Sequence, residues 1–239
     1  LNSFQKINKK TQEAIVGYAM IIPAFVLLLI FVFIPLIIAI YRSFFETTIN
    51  SSTFIGFKYY IKIITNKNFI LSIGNVLVFS VIITTLQIVL SFLFANVLIK
   101  IGGSFGGFAR AIIYLPYLLS GVVVAVIFTL LTTYNGGVLN SILESIGLNP
   151  IAWNNDSFWS PISIILPTLW IGFGYTTLVM YAGLINIPKD YYEAAEIDGA
   201  NFWKKLFSLS IPCMKNYFVL LIVTNIVGNL QMYEIPMIM

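Results

Sequence analysis

Five stretches of this chain contain no Asp, Glu, Lys or Arg: Ala14 to Tyr41, Asn68 to Ile99, Ala111 to Leu143, Ser157 to Pro188 and Asn216 to Tyr233. Each can hold the roughly 18 to 20 helical residues that cross a hydrocarbon core about 30 Å thick. A membrane β-barrel would instead alternate polar and apolar residues over segments of about ten, whereas these runs are continuously apolar. The composition agrees, with 59% hydrophobic and 9% charged residues against the roughly 25% charged of soluble domains. The expected fold class is all-α, a polytopic transmembrane helical bundle with five spans.

The first run follows Lys6, Lys9 and Lys10, as a signal peptide would, but it is well beyond the roughly 7 to 15 residues of a signal core. It reads as a retained span. Nine basic residues, Lys6, Lys9, Lys10, Lys100, Arg110, Lys189, Lys204, Lys205 and Lys215, fall on one side of such a bundle, and only Arg42, Lys58, Lys62 and Lys67 on the other. Basic residues mark the cytoplasmic side, so a multi-pass protein of the cell membrane with a cytoplasmic N-terminus is expected. Its organisation is then a cytoplasmic segment (1–13), the first two spans with their loops (14–110) and a core (111–239). One cysteine, Cys213, and no histidine exclude an internal disulfide and argue against a zinc or haem site. No basic and aromatic patch points to nucleic acid.

The first outer loop, Arg42 to Lys67, carries a short helix signal around Tyr59 to Ile64. The loop from Thr133 to Ser160 has a turn at Tyr134 to Gly137, an amphipathic stretch from Val138 to Ile146, and a stop at Gly147 and Pro150. Trp153, Phe158 and Trp159 suit an interfacial belt. Gly102 to Phe108 ("GGSFGGF") spaces its glycines like a phosphate loop but lacks the Lys and Ser/Thr that must follow. It is expected to be a flexible connector, and the chain shows no nucleotide site. Two sequons, at Asn50 and Asn155, are too frequent by chance to be given a role.

Four of the nine acidic residues, Asp190, Glu193, Glu196 and Asp198, crowd between the fourth and fifth spans. Asp190 suits an N-cap, Tyr191 to Ile197 are mostly helix-compatible, Gly199 can take the φ > 0 conformation that ends a helix, and Asn201 can cap a second one. Ala194 and Ala195 leave a nearly flat face that another protein's groove could approach, flanked by charge. The plainer alternative is a solvated turn joining two spans.

"YEAAEIDGA" (Tyr192 to Ala200), followed by "NFWKKLFSLSIP" (Asn201 to Pro212), closely resembles the EAA loop of permease subunits of binding-protein-dependent ABC importers. "YLPYLLSGVVVAVIF" (Tyr114 to Phe128), "NGGVLN", "GLNPIAW" and Leu169 to Ala200 are similar to the sugar-importing branch, maltose and glycerol-3-phosphate permeases included. Gly183, Leu184, Ile187 and Pro188 carry the branch-specific signature. The resemblance runs from about Arg110 onward. It implies a type I ABC importer permease fold, with Glu193, Ala194, Ala195, Asp198 and Gly199 of the loop at 189–211 docking on a separate ABC ATPase dimer that uses the ATP. It also implies a second permease subunit, usually a different chain, and an extracytoplasmic solute-binding protein. No cofactor and no catalysis by this chain are expected. The family adds a sixth span after a Thr and Gly-Gly-Pro turn, and this sequence stops before it.

Polar side chains within a span cost free energy unless they face protein, water or solute. Thr168, Gly172 and Tyr175 share one face of the fourth span. Asn225 and Asn229 share a face of the fifth, which Met232 extends. Tyr175 lies about 13 residues before Pro188, and Asn225 about 13 after Pro212, each roughly 20 Å along a helix. The two faces should meet at one depth, as a substrate pathway for a neutral sugar or polyol. Asn and Gly also glue membrane helices together, and that is the expected role of Asn75, Gln87 and Asn96. No acidic residue lies in a span core, which disfavours the rival reading of an ATP-independent secondary carrier or channel.

Overall fold

Apolar runs in hydrocarbon must close their backbone hydrogen bonds within themselves, and here they do so as helices. The structure, a computed structural model, describes residues 9–48 and 51–239; Lys6 and Asn50 lie outside the described residues. The chain divides into two units, residues 1–72 and 73–239.

In the first unit, α1 (Lys9–Arg42) is a single apolar helix. Pro35 has no amide to offer its ladder, and the helix widens just ahead of it into a π turn, Leu29–Phe33, in which the Ile34 amide donates to the Leu29 carbonyl. A hairpin that the sequence did not signal follows. Strand β1 (Phe45–Thr47) pairs antiparallel with β2 (Ser52–Phe54), Phe45 opposite Phe54. Helix α2 (Lys58–Ile64) occupies the stretch expected to be helical. The unit boundary falls within the next helix, α3 (Lys67–Ile101).

The second unit is built on three long helices: α3, α7 (Trp159–Ile185) and α10 (Lys215–Leu230). Its core joins Phe92 and Ala95 of α3, Met180 and Leu184 of α7, and Met214 and Leu221 at the start of and within α10. The buried stripe of α3 is small and polar, Ser80, Thr84, Gln87, Ser91 and Ala95, while Val81, Val89 and Leu90 are exposed. Lipid tails are as apolar as leucine, so helices associate through small residues and side-chain hydrogen bonds. Ser80 Oγ accordingly donates to the Ile226 carbonyl and Ser91 Oγ to the Phe173 carbonyl, both at 3.3 Å.

The third apolar run is not one straight helix. Helix α4 (Gly103–Tyr114) tightens into a 3-10 turn at Leu115–Leu118, and α5 (Gly121–Thr132) leaves at 96° to it. Pro116 disrupts the first helix, and Leu119 and Ser120 are extended. Ser120 then caps α5 by accepting from the Val123 amide. Among the described residues, four helices are therefore long and apolar enough to cross a membrane, and there is a fifth span only if this bent pair counts as one. The glycine stretch expected to be a flexible connector is the first half of α4. Gly102 and Gly103 take positive φ (55° and 54°) at the corner after α3, and the helix continues through Gly106 and Gly107. Glycine costs about 1 kcal/mol in a helix interior, less than unsatisfied amides would cost in hydrocarbon. Helix α6 (Val138–Ser145) matches the amphipathic stretch and ends at Gly147, φ 79°.

Candidate solute pathway and coupling loop

All five residues singled out as a substrate pathway line one cavity of about 330 Å³ in the second unit: Thr168, Gly172 and Tyr175 from α7, and Asn225 and Asn229 from α10. Counting outward from the two prolines placed them at one depth, and there they meet. Several are also engaged in interhelical bonds. Asn225 Nδ2 donates to Thr176 Oγ1 at 3.3 Å, and Asn229 Nδ2 to Thr84 Oγ1 at 3.0 Å. Helix α10 ends at Leu230, so Met232 does not extend its face as expected; the residue lies in a break where the helical ladder stops. From that break its sulfur still reaches Thr168 Oγ1 at 3.0 Å.

The sequence did not single out the other five lining residues, Gln87, Tyr117, Ile171, Thr224 and Gly228, and two of them matter most. Tyr117, from the 3-10 turn, stacks on Tyr175 with ring centroids 5.0 Å apart and planes 16° from parallel. Its only local signal is a tyrosine beside the proline that breaks a span. Gln87, expected to be glue, also lines the cavity. A second cavity of about 240 Å³ shares Thr168 and Asn229 and is bordered by Gln231 and by Glu234, the first residue of α11 (Glu234–Ile238).

At the other end of α7 and α10, the acidic stretch forms α8 (Lys189–Ile197), a turn, and α9 (Phe202–Lys205). Asp190 is not the N-cap. Pro188 holds that position at φ −54° and ψ 133°, which puts Asp190 in the first turn, where its charge complements the helix dipole. The C-terminus closes as the sequence suggested. Gly199 has φ 71°, its amide donates to the Glu196 carbonyl at 3.0 Å, and the Ala200 amide donates to the Ala195 carbonyl at 2.9 Å. That pair of bonds is a Schellman closure, which favours glycine at its left-handed position. Asn201 then caps α9, its side chain accepting from the Lys204 amide at 2.8 Å.

One side of α8 fastens the loop. The Tyr192 hydroxyl lies 2.9 Å from Ser210 Oγ, and Lys205 Nζ donates to Glu196 Oε1 at 2.7 Å. Lys100 sits 4.9 Å above the Phe202 ring. The other side is open: Glu193, Ala194, Asp198 and Gly199 are exposed, Ala195 is half-buried, and Ile197 is 88% exposed. Beyond the loop, a π turn at Leu206–Ser210 precedes Pro212 just as one precedes Pro35, with the Ile211 amide donating to the Leu206 carbonyl. Among the described residues no group of His, Cys, Asp and Glu could hold a metal ion.

Lipid-facing apolar helices, a polar-lined cavity between spans and a fastened helical loop with an open face define an integral-membrane transport subunit. Residues 87–236 match the family described as binding-protein-dependent transport system inner membrane component, and the chain belongs to that family. It is a multi-pass inner-membrane protein. Over 231 residues it is 29% identical to the trehalose/maltose transport system permease protein MalF of Thermococcus litoralis, covering 95% of this chain and 77% of that protein. Over 233 residues it is 30% identical to a probable ABC transporter permease protein, YurN, of Bacillus subtilis, covering 95% and 80%. The fold superposes with a TM-score of 0.78 and 25% identity on a bacterial ABC transporter involved in the import of the acidic polysaccharide alginate, over 93% of this chain and 76% of that one.

Proposed function

We propose that this permease forms half of the translocation pathway of an ATP-driven importer for a neutral sugar or related polyol. The observation that carries the solute class is the cavity itself, whose lining combines the stacked Tyr117 and Tyr175 rings with the side-chain amides of Gln87, Asn225 and Asn229. Aromatic faces suit the apolar side of a sugar ring, and amides match hydroxyls as donors and acceptors. The lining contains no Lys or Arg, and Glu234 borders the neighbouring cavity, an arrangement that disfavours an anionic solute. The trehalose/maltose permease among its relatives supports the same class.

A second permease subunit supplies the other half of the pathway, and an extracytoplasmic binding protein delivers the solute. A separate ABC ATPase dimer hydrolyses the ATP and docks on Glu193, Ala194, Ala195, Asp198 and Gly199. The fastening of α8 through Tyr192 and Glu196 supports this role, because a rigid loop transmits a displacement to α7 and α10. The excess of basic residues on the loop side supports a cytoplasmic N-terminus. Energetically the permease is a two-state element that ATP and the loaded binding protein bias from opposite sides of the membrane.

The test is to purify the tagged full-length protein in mild detergent from its native membrane and identify its companions by mass spectrometry. An ATPase and a second permease should co-purify and be lost when Glu193 and Gly199 are both substituted. Recovery of this protein alone, with solute uptake by it alone, would instead establish a carrier or channel.

A further inference from the structure

Gln87 is 3% exposed on the buried stripe of α3. Its stripe neighbours are each satisfied: Ser80 bonds the Ile226 carbonyl, Ser91 the Phe173 carbonyl, and Thr84 accepts from Asn229. Gln87 is different. Its Oε1 is buried without a partner, and its Nε2 reaches only the Thr168 carbonyl, at 3.4 Å. A carboxamide offers two donors and two acceptor lone pairs, and a buried polar group left unpaired costs about 1–3 kcal/mol. Interhelical glue accounts for its Nε2, which reaches α7, and leaves its Oε1 unaccounted for.

The amide packs against α7 at the edge of the cavity. Gly172, on the facing helix, lies so close that a Cβ there would overlap Nε2. The glycine in α7 thus makes room for the amide of Gln87, and both residues line the cavity that holds the Tyr117–Tyr175 stack. The space beside Gly172 is taken up by this side chain.

We infer that Gln87 is a specificity-determining residue whose carboxamide hydrogen-bonds one hydroxyl of the transported solute. A hydroxyl suits the site in either orientation of the amide, since it can donate to Oε1 or accept from Nε2. The solute hydroxyl thereby pairs the Gln87 amide, and an analogue lacking that hydroxyl leaves the amide unpaired and is rejected. The inference rests on the reading of this cavity as the pathway of a neutral sugar.

The experiment uses the complete transporter, with partner permease, ATPase and binding protein, in proteoliposomes. Uptake is first measured for trehalose, maltose, lactose and arabinotriose, then for the monodeoxy analogues of whichever sugar enters. Wild type should discriminate against one monodeoxy analogue by about tenfold or more. In Gln87→Met, which keeps the length and loses the amide, that ratio should collapse to about one while the other analogues keep theirs. Discrimination by the binding protein cancels, because both transporters use the same one. If Gln87→Met does not assemble, Gln87→Asn, which withdraws the amide by one methylene, should lose the same discrimination. Tyr175→Ala is measured in parallel. If it raises the apparent KM for uptake by about tenfold while both Gln87 variants discriminate as wild type does, the cavity reading stands and the role of Gln87 is overturned. If the wild type takes up none of the four sugars, or Tyr175→Ala changes nothing, the pathway reading falls and the inference falls with it.

Discussion

Tyr117 and Tyr175 stack 5.0 Å apart and 16° from parallel, one from the turn that breaks the third apolar run and the other from the middle of α7. The contact ties the bent pair to the long helix and gives the cavity an aromatic wall. Such a pair contributes about 0.5–1.5 kcal/mol beyond the area it buries.

Tyr175→Ala should therefore raise the apparent KM for sugar uptake by about tenfold, taking loss of the stack together with loss of the ring's contact with solute. Tyr175→Phe, which keeps the ring, should remain close to wild type. Uptake kinetics of the reconstituted transporter decide between ring and hydroxyl, and an equal loss in both variants would reject the stacking role.

Gly174 marks the crossing of α4 and α7. A Cβ at this position would collide with the Ile113 carbonyl and the Tyr114 backbone, neither of which can rotate away. Gly174→Ala should lower stability by about 1–3 kcal/mol through overpacking. Gly74→Ala in α3, where nothing lies within 4 Å, should be neutral or stabilising by up to about 1 kcal/mol from helix propensity. Thermal unfolding of both variants in the same detergent makes the comparison.

Asn140, 1% exposed, holds together the loop between α5 and α7. Its Nδ2 donates to the Tyr134 and Ile151 carbonyls, and its Oδ1 accepts from the Ile151 amide and Trp153 Nε1, all within 3.1 Å. Asn140→Ala leaves four groups unpaired, and at about 1 kcal/mol per net hydrogen bond the loop should open locally. The expected result is loss of hydrogen-exchange protection at Ile151 with protection in α7 intact.

How much of this was legible in the sequence depended on how local each cause is. The turn at Gly199 was readable because a Schellman closure is made within six residues and needs only one left-handed position. The shared depth of Tyr175 and Asn225 was readable because helix rise is constant between a proline and a side chain. The bend at Leu119 and Ser120 was not, since its neighbours are as apolar as any span and only Pro116 and Ser120 hint at it. Asp190 was misplaced by two residues because Pro188 fixes the start of α8 through its own dihedrals. Gln87 was expected to be glue, and its Nε2 does reach the Thr168 carbonyl on α7; spacing along α3 does not show that its Oε1 is left unpaired or that it lines the cavity.

If α8 couples ATP hydrolysis elsewhere to movement of the spans, Gly199→Val should break that coupling. A β-branched residue at φ 71° is strained by roughly 1–3 kcal/mol, enough to distort the Schellman closure and the face beside it. Uptake and ATP hydrolysis are measured together in the same proteoliposomes. Uptake per ATP hydrolysed should fall by about tenfold, in keeping with that strain. Uptake at the wild-type ratio would contradict the coupling role of α8.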